Sequence, residues 1–114
     1  MHIATTQHDT IFVLAITGSV DSLNADELTQ GFAETISRGH VRLVADFALV
    51  NYTSSAGLRS LLGTVKRCRL AGGDLRMAAV QPQVRRVLEI AGFTSILQLF
   101  PDVRHAVESF TELA

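Results

Sequence analysis

The sequence predicts an α/β domain with a small, mixed and mostly parallel β-sheet and helices packed against it. Short apolar runs rich in β-branched residues alternate with segments whose apolar residues recur at helical spacing, and turn residues separate the two kinds of segment. Strands that alternate with helices of this length are joined by crossover connections, which place neighbouring strands parallel to each other.

The first third of the chain predicts two strands and a helix. The polar residues 2–9 form an edge strand that pairs, through a short turn, with the nearly continuous apolar run of residues 10–18. We expect this second strand to be central and buried on both faces. A helix begins after Asn24, which forms a capping pair with Glu27, and ends in a left-handed turn at Gly39. The inward face of this helix carries Ala25, Leu28, Phe32 and Ile36.

A third strand and a second helix follow. Residues 41–47 form another buried strand, and the helix after it begins near Ala56 and stops at the turn of residues 71–74. Its aliphatic stripe is core packing and consists of Leu58, Leu61, Leu62 and Val65.

The last third predicts two strands and two helices. A strand over residues 75–80 leads to a helix with Pro82 in its first turn, and Gly92 ends that helix. A short strand around residues 96–99 precedes a last helix, which the chain enters through Pro101.

Length and composition limit the function. A chain of 114 residues, 47% of them hydrophobic, can bury one core, so we expect a single domain over residues 1–114 without a separate catalytic module. The net charge of −1 does not favour a nucleic-acid partner or an acidic membrane surface. No apolar run approaches the roughly 20 residues of a membrane span, and the amino terminus lacks a secretion signal. The sequence therefore predicts a cytoplasmic protein without membrane insertion.

Metal and cofactor chemistry is not expected. Cys68 is the only cysteine, so an internal disulfide is impossible, and no cysteine and histidine cluster has the spacing of zinc ligands. Neither a G-x-G-x-x-G motif nor a P-loop lysine motif occurs. The four histidines are scattered: His2, His8, His40 and His105.

Two adjacent serines, Ser54 and Ser55, follow the third strand and lie at the start of the second helix. The first turn of a helix has unpaired N–H groups and a partial positive charge, which favour a capping hydroxyl and a phosphoryl group alike. A cap alone contributes roughly 1 kcal/mol and needs no function. A catalytic serine is disfavoured because there is no G-x-S-x-G elbow and no activating base. We therefore expect no catalytic residue and no enzymatic activity.

Three stretches resemble the STAS domain of bacterial anti-sigma-factor antagonists. These are VADFALVNYTSSAGL (residues 44–58), LLGTVKRCRLAGGDLRMAAVQPQVRRVLEIAGF (residues 61–93) and LAITGSVDSLNADEL (residues 14–28). The serine-glycine-leucine turn after an aspartate-bearing strand, the Ala-Gly-Gly turn and the P-x-V-R-R-V-L-E-x-x-G helix occur in the family's order. The resemblance covers nearly the whole chain and implies a STAS-like domain.

The resemblance also implies a phosphorylation switch. The family's turn usually reads Asp-Ser, then Ser or Thr, then Gly-Leu, and its first hydroxyl residue is phosphorylated by a serine kinase that is also an anti-sigma factor. By this alignment Ser55 is the phosphoacceptor, Ser54 stands at the family's aspartate and Ala56 at its second hydroxyl residue. Ser54 is then a competing acceptor. The residues expected to bind the partner are Asp21, Asp46, Ser54, Ser55, Ala56, Gly57, Leu58 and Arg59.

Charged residues near the serines have two interpretations. Asp21 and Asp46 make the phosphorylated edge strongly acidic in one hypothesis, and are an ordinary turn residue and a strand-end residue in the other. The cations of the second helix either solvate its polar face or dock an acidic patch of the kinase. They are Arg59, Lys66, Arg67 and Arg69.

The first functional hypothesis is an anti-sigma-factor antagonist. Unphosphorylated, it binds an anti-sigma factor that is also a serine kinase and so releases a sigma factor or another target; phosphorylation at Ser55 inactivates it, and a serine phosphatase counteracts the kinase. The alternatives are an accessory subunit of a lipid or solute transporter, since STAS-like domains also serve transporters, and a stressosome-like scaffold. Oligomeric state and direct nucleotide binding stay open.

Overall fold

Five strands form one sheet in the computed structural model, which describes residues 1–111, so the last three residues of the expected domain lie outside the description. The strands are β1 (His2–His8), β2 (Ile11–Thr17), β3 (Arg42–Leu49), β4 (Asp74–Ala78) and β5 (Leu99–Phe100). The helices are α1 (Ala25–Ser37), α2 (Ser55–Leu70), α3 (Pro82–Ile90) and α4 (Val103–Thr111). The strands lie in chain order, with β1 antiparallel to β2 and every other pair parallel. The expected mixed, mostly parallel sheet is confirmed.

Helices cover both faces of the sheet. The larger core lies on the face packed by α1, α2 and α3, where Phe32, Phe47 and Leu61 are fully buried. A smaller cluster lies on the opposite face, where α4 packs, and it consists of Ile11, Val13, Val44, Ala78 and Ala106. Alternate residues of β2 enter the two cores, which explains its nearly continuous apolar run.

The position of β2 and the start of α2 differ slightly from expectation. The second strand is interior and buried on both faces, but the middle strand of the sheet is β3. The second helix begins at Ser55, one residue before Ala56, because Ser54 already has extended backbone angles and caps it.

The capping pair expected at α1 is wrong. Asn24 makes no side-chain cap of the helix. Its Oδ1 instead accepts from the backbone N–H of Asp21 at 2.9 Å, and its Nδ2 donates to the carbonyl of Ser19 at 2.9 Å. Hydrogen bonds within the preceding loop therefore use the side chain that the sequence pattern assigned to the helix.

Two strands near the carboxyl terminus end or begin elsewhere than expected. The strand expected over residues 75–80 stops at Ala78, because Ala79 has a left-handed φ of 56°. The strand expected around residues 96–99 is only Leu99–Phe100. The N–H groups of Ile96 and Leu97 both donate to the carbonyl of Phe93 and close a helical turn instead.

Candidate functional site

Two loops at the carboxyl ends of β2 and β3 are hydrogen-bonded to each other. Val20 forms an isolated parallel bridge with Thr53. The N–H of Val20 donates to the carbonyl of Tyr52 at 2.9 Å, and the N–H of Ser54 donates to the carbonyl of Val20 at 2.8 Å. We call residues 18–24 and 50–54 the bridged loops. Together with the first turn of α2 they form one continuous edge of the molecule.

The two serines at this edge have different environments. Ser54 is the N-cap of α2, is half-buried, and its Oγ accepts from the N–H of Gly57 at 3.2 Å. Ser55 is the first residue of the helix and is exposed, and its hydroxyl has no hydrogen-bond partner within residues 1–111. The hydroxyl of Ser54 is therefore engaged in the fold, whereas that of Ser55 faces solvent.

The rest of the first turn of α2 joins this edge to the core. Gly57 is buried against Thr53 and Val20, while Ala56 and Leu58 are half-buried and pack against the larger core. Such packing fixes the direction in which the first turn projects from the sheet.

The two candidate aspartates lie in different places. Asp21 directly follows Val20 in the bridged loops, and its Oδ1 accepts from the N–H groups of Leu23 and Asn24, each at 2.9 Å. Asp46 lies within β3 and pairs in register with Ala78, which belongs to the cluster on the α4 face. Its Oδ1 accepts from the N–H of Ala48 at 3.1 Å. Asp46 is therefore on the sheet face opposite α2, and its role in partner binding stays a prediction.

Three exposed apolar side chains lie in the bridged loops or at the end of β3, and sequence reasoning did not identify them. Leu23 and Tyr52, in the bridged loops, are 92% and 52% exposed, and Leu49, at the end of β3, is 65% exposed. Large apolar residues in loop positions, where polar residues prevail, were the available signal. Their arrangement on adjoining segments is typical of a protein-binding surface.

The four cations of α2 have different environments, and Lys66 among them is exposed. Arg69 donates from Nε to Asp74 Oδ1 at 2.9 Å and from Nη2 to the carbonyl of Ile96, so it holds α2 to β4 and to the turn before β5. Arg59 and Arg67 instead line an open groove of about 420 Å³ between α1 and α2. We call it the α1–α2 groove. Its lining residues are Ser22, Ala25, Asp26, Thr29, Ala56, Arg59, Ser60, Gly63, Thr64 and Arg67.

Small and hydroxyl-bearing residues let the two helices approach along this groove. Thr29 Oγ1 donates to Ser60 Oγ at 2.7 Å across the groove, and Thr64 Oγ1 donates to the carbonyl of Ser60 at 2.8 Å. These hydroxyls are engaged within the fold. The guanidinium groups of Arg59 and Arg67, which form no ion pair within residues 1–111, are therefore the cationic groups of the groove available to a ligand.

Cys68, in α2, is fully buried in the larger core. Burial, with a smaller contribution from the Asp74 carboxylate, raises the pKa of the Cys68 thiol to about 11, so the thiolate nucleophile is scarce at neutral pH. No group of three or more histidine, cysteine or acidic side chains within residues 1–111 could hold a metal ion. Over the same residues, no helix combines the length and apolar character needed to cross a membrane.

Comparison with known proteins identifies the family. The STAS domain model matches residues 2–106.

Individual proteins of known sequence or structure are similar over most of their length. The anti-sigma factor antagonist BtrV of Bordetella bronchiseptica is 35% identical over 102 residues, which are 90% of this chain and 88% of BtrV. A crystal structure of an anti-sigma factor antagonist from Thermotoga maritima matches with a TM-score of 0.92 at 18% identity, over 96% of this chain and 95% of that one. The Bacillus cell fate determinant SpoIIAA in its phosphorylated form matches with a TM-score of 0.73 at 14% identity, over 96% and 99% of the two chains. The expected resemblance is confirmed, and the chain belongs to the STAS domain family.

Proposed function

We propose that this protein is an anti-sigma factor antagonist, which binds an anti-sigma factor through the bridged loops and the first turn of α2. The likeness to BtrV over most of both chains supports this role. In this role the protein binds its partner and catalyses no reaction itself. It acts in the cytoplasm, without nucleic-acid contact or membrane insertion.

The observation that carries the proposal is the exposed hydroxyl of Ser55 at the helix start that follows the bridged loops, which also carry exposed apolar side chains. Leu23 and Tyr52 offer apolar area that a docked protein would cover, and Ser55 stands at the start of the adjoining helix. A phosphate there would add about −1.5 to −2 charges at neutral pH. The partial positive charge of the helix start tolerates this charge within the domain, whereas a partner docked on the same surface must desolvate it.

Phosphorylation of Ser55 therefore ends partner binding in this proposal. A serine kinase, which is the anti-sigma factor itself, adds the phosphate, and a serine phosphatase removes it. Ser55 is preferred over Ser54 because the Ser54 hydroxyl is half-buried and bonded to the helix start. A phosphorylated SpoIIAA of the same fold is a precedent for the modification.

The test compares Ser55→Ala with Ser54→Ala in the protein purified from its own host with phosphatase inhibitors. We expect peptide mass spectrometry to find phosphate on Ser55 in the unaltered protein and in Ser54→Ala, and none in Ser55→Ala. The purified anti-sigma factor should bind unphosphorylated protein and release protein that carries phosphoserine at position 55. Phosphate on Ser54, or equal affinity of both forms for the anti-sigma factor, would contradict the proposal.

A further inference from the structure

Arg59 stands between Ser55 and the α1–α2 groove. It follows Ser55 by four residues in the same helix, so the two side chains share a helix face with β-carbons about 5 to 6 Å apart. Arg59 also lines the groove. One guanidinium can therefore reach either a group on Ser55 or a ligand in the groove.

Within residues 1–111, neither arginine of the groove forms an ion pair with an acidic side chain of the protein itself. The ion pairs within residues 1–111 join Asp74 to Arg69 and Arg76, Arg104 to Glu108, and Asp102 to His105. Asp26 lines the same groove, yet its carboxylate forms no ion pair with Arg59 or Arg67 in that part of the chain. The groove thus offers two cations against one carboxylate.

We infer that the α1–α2 groove binds a carboxylate-bearing segment of the anti-sigma factor through Arg59 and Arg67, and that a phosphate on Ser55 withdraws Arg59 from it. The guanidinium fork suits a carboxylate in the first state and a phosphate in the second. The occupant is an acidic protein segment because both exposed charges of the groove on α2 are cations. This inference rests on the proposed function. It adds an ion pair with the partner that phosphorylation breaks, besides the cost of desolvating the phosphate at the bridged loops.

Distance separates the roles of the two arginines. Arg59 lies about 6 Å along the helix axis from Ser55, whereas Arg67, twelve residues away, lies about 18 Å from it. Electrostatic interactions at the surface are screened over roughly 8 to 10 Å at physiological ionic strength. Only Arg59 can therefore respond to the phosphate, while both arginines can hold the acidic segment.

The first experiment needs no partner. Phosphoserine is incorporated at position 55 during translation, and its second pKa is measured by ³¹P NMR in otherwise unaltered protein, Arg59→Gln and Arg67→Gln. We expect Arg59→Gln to raise the pKa of the phosphate by roughly 0.5, because a cation that favours the dianion is lost. Arg67→Gln should leave this pKa unchanged. The pairing of Arg59 with the phosphate is overturned if the phosphate has the same pKa in Arg59→Gln as in the unaltered chain. It is also overturned if Arg59→Gln and Arg67→Gln raise this pKa equally.

The second experiment measures the affinity of the unphosphorylated protein for the purified anti-sigma factor at several salt concentrations. Arg59→Gln and Arg67→Gln should each weaken binding about three- to tenfold at low salt, by losing a charge-assisted hydrogen bond at the interface. Arg86→Gln, which removes an exposed cation of α3, is the matched control and should bind normally. Normal affinity in either groove variant overturns the inference. A failure of the unaltered protein to bind overturns the proposed function itself, and the ³¹P result then still decides whether Arg59 pairs with the phosphate.

Discussion

Gly57 and Thr53 approach so closely that a β-carbon on Gly57 would lie 2.3 Å from Thr53 Oγ1. The same β-carbon would lie 2.8 Å from Cγ1 of Val20. The glycine of the serine-glycine-leucine turn therefore lets the first turn of α2 pack directly against the bridge between the two loops.

Replacing Gly57 by alanine should destabilise the protein by about 1 to 3 kcal/mol, because the methyl group forces the helix start away from the bridge. The measurement is the free energy of unfolding in urea. Gly63→Ala is the matched control in the same helix: apart from its chain neighbours and the backbone of its own helix, a β-carbon there meets no atom within 4 Å. This control should stabilise the protein by about 0.5 to 1 kcal/mol through helix propensity. A Gly57→Ala protein as stable as Gly63→Ala would contradict the packing.

The two serines should differ in their effect on stability. Ser54→Ala removes the side-chain acceptor for the N–H of Gly57 and should cost about 1 kcal/mol of unfolding free energy. Ser55→Ala should change stability by less than about 0.5 kcal/mol, because the hydroxyl is exposed and without a partner in the described residues. Urea denaturation of both variants checks this order, and the reverse order would assign the cap to Ser55.

The carboxylate of Asp74 joins three parts of the fold. It accepts from Arg69 of α2 at 2.9 Å and from Arg76 of β4 at 3.1 Å, and Arg76 in turn donates to Ser109 of α4 at 2.7 Å. Asp74→Asn should destabilise the protein by roughly 3 kcal/mol, because the half-buried Arg76 loses its counter-ion. Glu108→Gln removes the exposed partner of Arg104 and should cost no more than about 0.5 kcal/mol. Equal unfolding free energies for both variants would argue against a structural role of the ion pairs that Asp74 forms with Arg69 and Arg76.

The buried thiol of Cys68 should make stability fall at alkaline pH. Its pKa is raised from 9.0 to about 11 in the folded protein, chiefly by burial. The contribution of the neutral thiol is fully present below pH 9, the unfolded value, and is lost as the pH rises toward 11. Unfolding free energy measured from pH 8 to 11 should therefore decline more steeply in the unaltered protein than in Cys68→Ala. Parallel pH profiles would contradict the raised pKa.

The pattern of the sequence determined the class of fold and the order of its elements. Local periodicity was sufficient for this, because residues that face the core recur at the spacing of their element. Examples are the helical spacing of Ala25, Leu28 and Phe32 and the continuous apolar run of β2. The place of the serines at a helix start was predictable for the same reason. Whether Asn24 capped α1 was not predictable, because Asp21 and Ser19 compete for its side chain.

Tertiary structure decided how the bridged loops meet the first turn of α2, and which side chains near them stay available to a partner. Val20 and Thr53 are 33 positions apart, and only the parallel pairing of β2 with β3 brings their loops together. Because α2 begins at Ser55 and not one residue later, Ser54 is the cap of the helix and Ser55 stays exposed. Likewise, contacts with Asp74 and Ile96 engage Arg69, while Arg59 stays at the groove. Local spacing places a side chain on a helix or strand, but its hydrogen bonds and exposure depend on groups that are distant in the chain.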